Sequence, residues 1–192
     1  MSLKIPKKNI DLLFERFYVL ELCSSTLQHC FLADENVNKY RGPLPSQVEG
    51  SLQMVSGLEY LHSQNIVHGN IKPENVLISS AQPVLLKLGD FSRLRESLSV
   101  WTAPEILTET TDDVRQLGAS VAQRRATAQS DTWSLGCVLF FFLQQGRHPF
   151  GDKNIIKNAS EGNPNLLRGK SSFNFDLLFI TWVPFNLFEK KI

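Results

Sequence analysis

The stretch HGNIKPENVLI, residues 68–78, decides the fold of this chain. Its last three residues, Val-Leu-Ile, favour a short strand, and a second short strand is predicted over residues 84–88. The polar residues before the first strand are predicted to form a loop. It carries three side chains that can bind a ligand through polar or charged groups: Asn70, Lys72 and Asn75. Because two consecutive strands pair side by side, Asp90, which follows the second strand, is predicted to lie near Asn75.

Further motifs follow this stretch in a fixed order. They are Asp-Phe-Ser at 90–92, Ala-Pro-Glu at 103–105, Asp-Thr-Trp-Ser-Leu-Gly at 131–136 and His-Pro-Phe-Gly at 148–151. Together with the first stretch they resemble the catalytic loop, the metal-binding triplet and the later segments of eukaryotic protein kinases. The resemblance implies a kinase-like fold and a phosphate-handling site.

Two residues depart from the kinase pattern at the centre of the chemistry. Asn70 stands where the family has the Asp that accepts the proton of the substrate hydroxyl, and Gly69 stands where it has Arg. A side-chain amide cannot accept that proton at any relevant pH. Since general-base help is worth ~10²–10⁴ in rate, we expect strongly impaired catalysis.

The resemblance implies roles for the other polar residues of the loop. Asn75 and Asp90 would hold Mg²⁺, which prefers oxygen ligands, and Lys72 would lie near the transferring phosphate of ATP. Lys72 within Lys-Pro-Glu-Asn resembles serine/threonine kinases. His68 would be a structural histidine, and Asp131 would hydrogen-bond the backbone of the catalytic loop.

The N-terminal part leaves no room for the glycine-rich phosphate loop of the family. Only residues 1–16 precede the hinge region, so the expected fold is a C-terminal kinase lobe, mainly α with a few short strands, without the N-terminal lobe. By position, Glu21 and Cys23 belong to the adenine-facing hinge and Leu77 lies beneath the purine. ATP and Mg²⁺ binding is therefore expected to be weak or absent. The apolar surface that would face the other lobe predicts a protein partner.

Three segments are similar to a narrower group within the kinases. Residues 21–28, 56–68 and 146–151 resemble the inositol-requiring endoplasmic-reticulum stress sensor, a kinase joined to a ribonuclease, to which ribonuclease L is related. The similarity runs from about residue 17 to 151. The ribonuclease part and the sensor and membrane segments are not found in this sequence.

These resemblances predict a division of the chain and a function. Residues 1–16 are a segment outside the family, 17–151 form the kinase-like domain, and 152–192 are a divergent tail. The expected function is that of a truncated pseudokinase that binds a kinase or stress-sensor relative. The alternatives are a weak ATP-dependent serine/threonine kinase, and a fragment of a ribonuclease-regulating module that serves dimerisation.

Bulk composition excludes several other classes of protein. A net charge of +1 is too small to attract nucleic acid or an anionic membrane electrostatically. The three cysteines form neither an even disulfide framework nor a zinc motif, which favours a reducing, cytoplasmic location. Residues 173–188 are apolar but too short and too interrupted by polar residues for a membrane span, and no signal peptide is recognised.

Local patterns predict the remaining elements. A strand is expected over 17–22, followed by a brief helix that begins at Thr26 with Ser24 or Ser25 as its cap. A capping box at 46–49 starts a helix over 47–62. Its predicted apolar face consists of Val48, Leu52, Val55, Leu58 and Leu61. The run 133–143 is apolar on all sides, which predicts a fully enclosed helix.

Overall fold

The computed structural model describes residues 20–90, 99–108 and 126–164. These residues form five α-helices, one short 3₁₀-helix and a three-stranded sheet. In chain order they are β1 (Cys23–Thr26), α1 (Leu27–Cys30), α2 (Gln47–Ser63), the 3₁₀-helix (Pro73–Asn75), β2 (Val76–Ser79), β3 (Leu86–Leu88), α3 (Pro104–Thr108), α4 (Ala128–Leu143) and α5 (Ile155–Ser160). The expectation of a mainly helical domain with a few short strands is confirmed.

The sheet pairs the two predicted strands with a third. Its order is β1-β2-β3, and both pairings are antiparallel. In the β2–β3 pair, Val76 lies opposite Leu88. Because β3 ends at Leu88 and β2 begins directly after the 3₁₀-helix, the polar residues at those two ends come together at one edge of the sheet.

The predicted strand over 17–22 was wrong in position. Residues 17–19 lie outside the described residues, and Leu20 to Leu22 are not in a strand. The strand is Cys23–Thr26, and Ser24 Oγ lies 3.0 Å from Oγ of Ser80, the residue that follows β2. The cap prediction also fails, since Thr26 is the N-cap of α1. Backbone pairing with β2 outweighs the apolar pattern on which the prediction rested.

Helix α2 begins where the sequence predicts, but only part of the predicted apolar face is buried. Leu58 of that face is buried and Val55 packs against the core. The Ser46–Glu49 capping box is present. The residues buried are Gly50, Ser51, Met54 and Leu58, whereas Val48 and Leu52 are 55% and 54% exposed. The reason is the close approach of α4. A Cβ atom on Gly50 would lie 2.8 Å from the Phe142 ring, so the helix packs through its small residues.

Helix α4 is enclosed, as predicted from its apolar composition. Its buried residues run without a break from Trp133 to Phe142. A capping box between Thr127 and Ser130 starts the helix. The ring of Trp133 stacks on Phe150 with centroids 5.8 Å apart, which joins α4 to the turn that follows it.

After the turn at residues 148–151, the structure describes residues 152–164. A short helix, α5, occupies Ile155–Ser160. The Asn158 amide donates hydrogen bonds to the carbonyls of Phe150, at 2.9 Å, and Lys153, at 3.1 Å. The predictions for residues 1–16, for Phe91-Ser92 and for the apolar run 173–188 lie outside the described residues. Among the helices that are described, none has the length and apolar character that a membrane crossing requires.

Candidate functional site

Asn70, Asn75 and Asp90 belong to one hydrogen-bond network. The Asn75 side-chain amide donates to the Asn70 carbonyl at 2.7 Å. The Asn70 side-chain amide donates to Asp90 Oδ2 at 3.1 Å. The backbone N–H of Gly89 donates to the Asn75 carbonyl at 2.9 Å. The antiparallel strands therefore bring these three residues together, as their positions in the sequence predict.

Gly89 is a residue of the site that the sequence analysis missed. A Cβ atom there would lie 2.6 Å from Leu77 Cδ1, so only glycine lets the Leu77 side chain lie against this part of the backbone. The next residue, Asp90, has a φ of +60°, in the left-handed region that Asp and Asn tolerate better than most residues. The signal was present, since a glycine directly before the predicted metal ligand marks a close approach of the backbone.

Asp131 supports the catalytic-loop segment from below. Its carboxylate accepts hydrogen bonds from the backbone N–H groups of His68, at 2.7 Å, and Gly69, at 2.8 Å. The role that the kinase resemblance implies for Asp131 is therefore confirmed. The sequence analysis did not foresee that His62 Nε2 also lies 3.0 Å from this carboxylate. Asp131 is only 2% exposed, so these contacts compensate for the loss of water around a buried carboxylate.

His68 is a structural histidine. It is buried, and its Nδ1 accepts a hydrogen bond from the Asn70 N–H at 3.2 Å. Burial lowers the pKa of His68, and the charge of Asp131 offsets this only in part. The imidazole therefore holds the loop in shape and remains neutral over a wider pH range than an exposed histidine.

Lys72 directly precedes the 3₁₀-helix and is partly exposed. Its backbone is extended, with φ −161° and ψ 162°, and the helix that follows starts at Pro73, whose fixed φ suits a first helical position. The placement of its ammonium group near a phosphate stays a prediction.

The predicted hinge residues lie at the end of the sheet. Cys23 is the first residue of β1, and its thiol lies 3.8 Å from the Glu21 carbonyl, to which it donates. The Glu21 carboxylate forms an ion pair with Lys87 of β3. Leu77 faces Thr26 across the β1–β2 pair. Cys23 and Leu77 thus lie on paired strands, with Leu77 opposite the far end of β1, and the contacts of Glu21, Cys23 and Leu77 with adenine stay a prediction.

A cavity of about 40 Å³ lies beside Asn70. It separates the catalytic-loop segment from the segment before α3, and its lining includes Asn70, Ile71, Thr102, Ile106 and Ser134. The far wall is anchored because Ser134 Oγ donates to the Trp101 carbonyl at 2.7 Å. This volume accommodates one or two water molecules rather than a nucleotide.

The donor set at the edge of the sheet fits a hard divalent cation. Asp90 contributes carboxylate oxygens, and the Asn75 amide nitrogen is directed to the Asn70 carbonyl, so the amide oxygen is the atom that can act as a ligand. No group of three or more His, Cys, Asp and Glu that could hold a metal occurs in the described part of the chain. Two protein ligands suit Mg²⁺, which usually keeps several waters and binds substrate phosphates as well.

This arrangement of loop, strand pair and buried aspartate defines a class of protein. The family model of the protein kinase domain matches residues 15–176, and the chain belongs to that family. The matched range extends past residue 151, where the resemblance described from the motifs ends.

The relatives of this chain include kinase/endoribonucleases of the stress-sensor type. The serine/threonine-protein kinase/endoribonuclease ireA of Aspergillus fumigatus is 31% identical over an alignment 209 residues long. The alignment covers 84% of this chain and 16% of that protein. IRE2 of Homo sapiens is 34% identical over 166 residues, covering 74% of this chain and 16% of the relative. IRE1 of Oryza sativa is 35% identical over 125 residues, with 55% and 12% covered.

The comparisons confirm the predicted kinase family and the predicted similarity to this group. The chain spans 12–16% of the length of these relatives.

Proposed function

We propose that this chain is a catalytically impaired kinase domain, resembling a C-terminal kinase lobe, that acts by binding a kinase or stress-sensor relative. The observation that carries the proposal is the hydrogen bond from the Asn70 amide to Asp90. A group that donates a hydrogen bond stands at the position where phosphoryl transfer to a hydroxyl needs a proton acceptor.

Two titratable residues described near the loop, His68 and Asp131, do not supply the missing base. His68 is the nearest titratable ring in the loop, but its Nδ1 already accepts from the Asn70 N–H and its burial keeps it from the solvent. Asp131 is buried beneath the loop and holds two backbone N–H groups. Both residues are engaged in holding the loop backbone.

The site offers a nucleotide some of the groups that kinases use to bind ATP. A bound Mg²⁺ would supply positive charge that offsets the charge of the phosphates. Asn75 and Asp90 would hold the cation, and Lys72 would add a positive charge beside the phosphates. The purine would lie on Leu77, next to the hinge residues Glu21 and Cys23. We expect weak binding of ATP and Mg²⁺, because the Asp90 carboxylate is already engaged by Asn70.

Exposed leucines beside the hinge support the binding role. Leu20 and Leu22 lie just before β1 and are 80% and 82% exposed. Burying two leucine side chains contributes about 3–6 kcal/mol of apolar free energy to an association. A kinase relative is the partner we propose for this surface.

A radiolabel-transfer assay with Mg-ATP and a generic serine/threonine substrate tests the catalytic part of the proposal. The unsubstituted chain is expected to show no transfer above that of Asp90→Asn. Transfer that is abolished by Asp90→Asn would instead establish the alternative, a weak serine/threonine kinase that uses Lys72, Asn75 and Asp90.

Sedimentation of the purified chain with the kinase domain of a stress-sensor relative tests the binding part. Leu22→Ser should weaken the complex at least tenfold. The matched control is Val37→Ser, because Val37 is 92% exposed but lies in the loop between α1 and α2. Absence of a complex, or equal weakening by both variants, would contradict the proposed surface.

A further inference from the structure

The backbone around Asn70 is held on three sides. Its N–H donates to His68 Nδ1 at 3.2 Å, and its carbonyl accepts from the Asn75 amide at 2.7 Å. The two preceding N–H groups are bound by the buried Asp131 carboxylate. These contacts fix the Asn70 backbone, so the position of the Asn70 amide group is set by its side-chain torsion angles alone.

The Asp90 side chain is similarly constrained from its own end. Its backbone is in the left-handed region, at φ +60°, and the preceding Gly89 is tied to the Asn75 carbonyl at 2.9 Å. The Asn70–Asp90 hydrogen bond therefore joins two fixed pieces of backbone. Its donor occupies one oxygen of the carboxylate that would ligate a divalent cation.

We propose that Asn70 is a positioning residue that competes with a divalent cation for the Asp90 carboxylate. The proposal deepens the proposed function, because it rests on the same cation site. The amide N–H and a cation draw on the lone pairs and the negative charge of the same carboxylate. Any weakening of the Asn70 hydrogen bond on cation binding is therefore subtracted from the free energy of that binding.

Asn70 differs from aspartate in two respects that can be separated. It lacks a negative charge, and it donates a hydrogen bond to Asp90. Asn70→Ala and Asn70→Leu remove the donor without a change in charge, and Leu also retains the size of the side chain. Asn70→Asp removes the donor and adds a charge. If only charge matters, the first two variants should bind a cation like the unsubstituted chain.

Binding of Mn²⁺ alone, followed by the electron paramagnetic resonance of the free ion, tests this inference with the full chain. Mn²⁺ suits oxygen sites of this kind. A hydrogen bond at a partly exposed site corresponds to an about fivefold to tenfold gain in affinity once its donor is removed. We expect that gain for Asn70→Ala and Asn70→Leu, a larger one for Asn70→Asp, and loss of binding for Asp90→Asn.

Several outcomes would overturn the inference. They are equal or weaker Mn²⁺ binding by both donor-free variants, binding that survives Asp90→Asn, and absence of saturable binding in every variant. Urea denaturation midpoints show whether each variant is folded. The Mn²⁺ affinity of the donor-free variant whose midpoint equals that of the unsubstituted chain decides the test. Unfolding of both donor-free variants would also overturn it, since Asn70 would then be needed only for stability.

The same variants distinguish this inference from the proposed function. Neither Asn70→Ala nor Asn70→Leu adds a proton acceptor, so both remain inactive in phosphoryl transfer whatever their affinity for Mn²⁺. Transfer by the unsubstituted chain would contradict the proposed function and leave the competition measurable. Unchanged Mn²⁺ affinity in an inactive chain would contradict only the inference.

Discussion

The side-chain amide nitrogen of Asn70 lies 3.1 Å from Oδ2 of Asp90 and donates a hydrogen bond to it. Two carboxylates at these positions would repel each other unless a cation lay between them. The amide turns the repulsion into an attraction. One side-chain hydrogen bond therefore links the catalytic-loop segment to the chain that follows β3.

The first prediction concerns Asp131, which accepts hydrogen bonds from His68 N, Gly69 N and His62 Nε2. In Asp131→Asn the introduced NH₂ group faces one of these donors, and a buried N–H loses its partner. We expect the free energy of unfolding to fall by about 2–4 kcal/mol. Urea denaturation followed by circular dichroism measures the change.

Asp34→Asn is the control for this prediction. The Asp34 side chain is 93% exposed and is paired with Lys39, a surface contact of little energetic weight. Its free energy of unfolding should change by less than about 0.5 kcal/mol. Equal effects of the two substitutions would show that the buried carboxylate does not support the loop.

The second prediction compares two glycines within α2. A Cβ atom on Gly50 would lie 2.8 Å from the buried Phe142 ring, whereas one on Gly57 would have its nearest neighbour, Leu88, at 3.7 Å. Gly57→Ala should stabilise the chain by about 0.5–1 kcal/mol through helix propensity. Gly50→Ala should destabilise it by about 1–2 kcal/mol, because overpacking exceeds that gain. Chemical denaturation of both variants provides the test, and the same sign of change in both would contradict the packing of α2 on α4.

The third prediction is acid sensitivity that originates at His148. Burial lowers the pKa of this buried histidine from 6.5 to about 4, and the Val100 backbone and Asp152 offset the shift only in part. Between pH 6.5 and about 4 the unfolded chain therefore binds a proton that the folded chain does not. Stability is highest above pH 6.5 and falls as the pH is lowered, by at most about 3 kcal/mol for this group.

The His148→Asn variant tests the origin of this acid sensitivity. Asparagine retains a side-chain acceptor for the Phe150 N–H, which His148 Nδ1 now accepts at 3.2 Å, but it does not titrate. The slope of unfolding free energy against pH should become shallower in the variant. The remaining slope has the same sign, because burial lowers the pKa of His68 as well. An unchanged slope would mean that His148 is solvated in the folded state.

The fourth prediction concerns the backbone of Asp90, at φ +60°. Asn tolerates this region, whereas Ala pays about 1 kcal/mol for it and also loses the contact with Asn70. Asp90→Ala should therefore be about 1–2 kcal/mol less stable than Asp90→Asn in urea denaturation. Asn is consequently the better substitution for removing the cation ligand. Equal stability of the two variants would indicate that the backbone relaxes out of the left-handed region.

The sequence predicted those features that depend on local pattern. The start of α2 follows from the Ser46–Glu49 capping box, and the enclosure of α4 follows from an apolar run with no polar face. The order of the motifs predicted the kinase family, and the strand pair predicted that Asp90 and Asn75 come together. Each of these inferences needs only neighbouring residues or a strand pair that closes over a short turn.

Other features could not be obtained in this way. The sequence placed Val48 and Leu52 on the buried face of α2, but α4 approaches the helix at Gly50 and leaves both half exposed. It placed a strand at residues 17–22 because they are apolar, whereas β2 pairs with the polar Cys23–Thr26. A helix has several faces, and which of them is buried depends on its neighbours.

The sequence by itself determined which groups stand at the site: an amide at residue 70 and a carboxylate at residue 90. Only the tertiary structure decided what that amide does. The direction of the Asn70 side chain depends on Asp131 and His68, which hold the loop, and on the strand pair that carries Asp90. Residue type fixes the chemical capacity of a group, but its partner is chosen by contacts between segments that are distant along the chain.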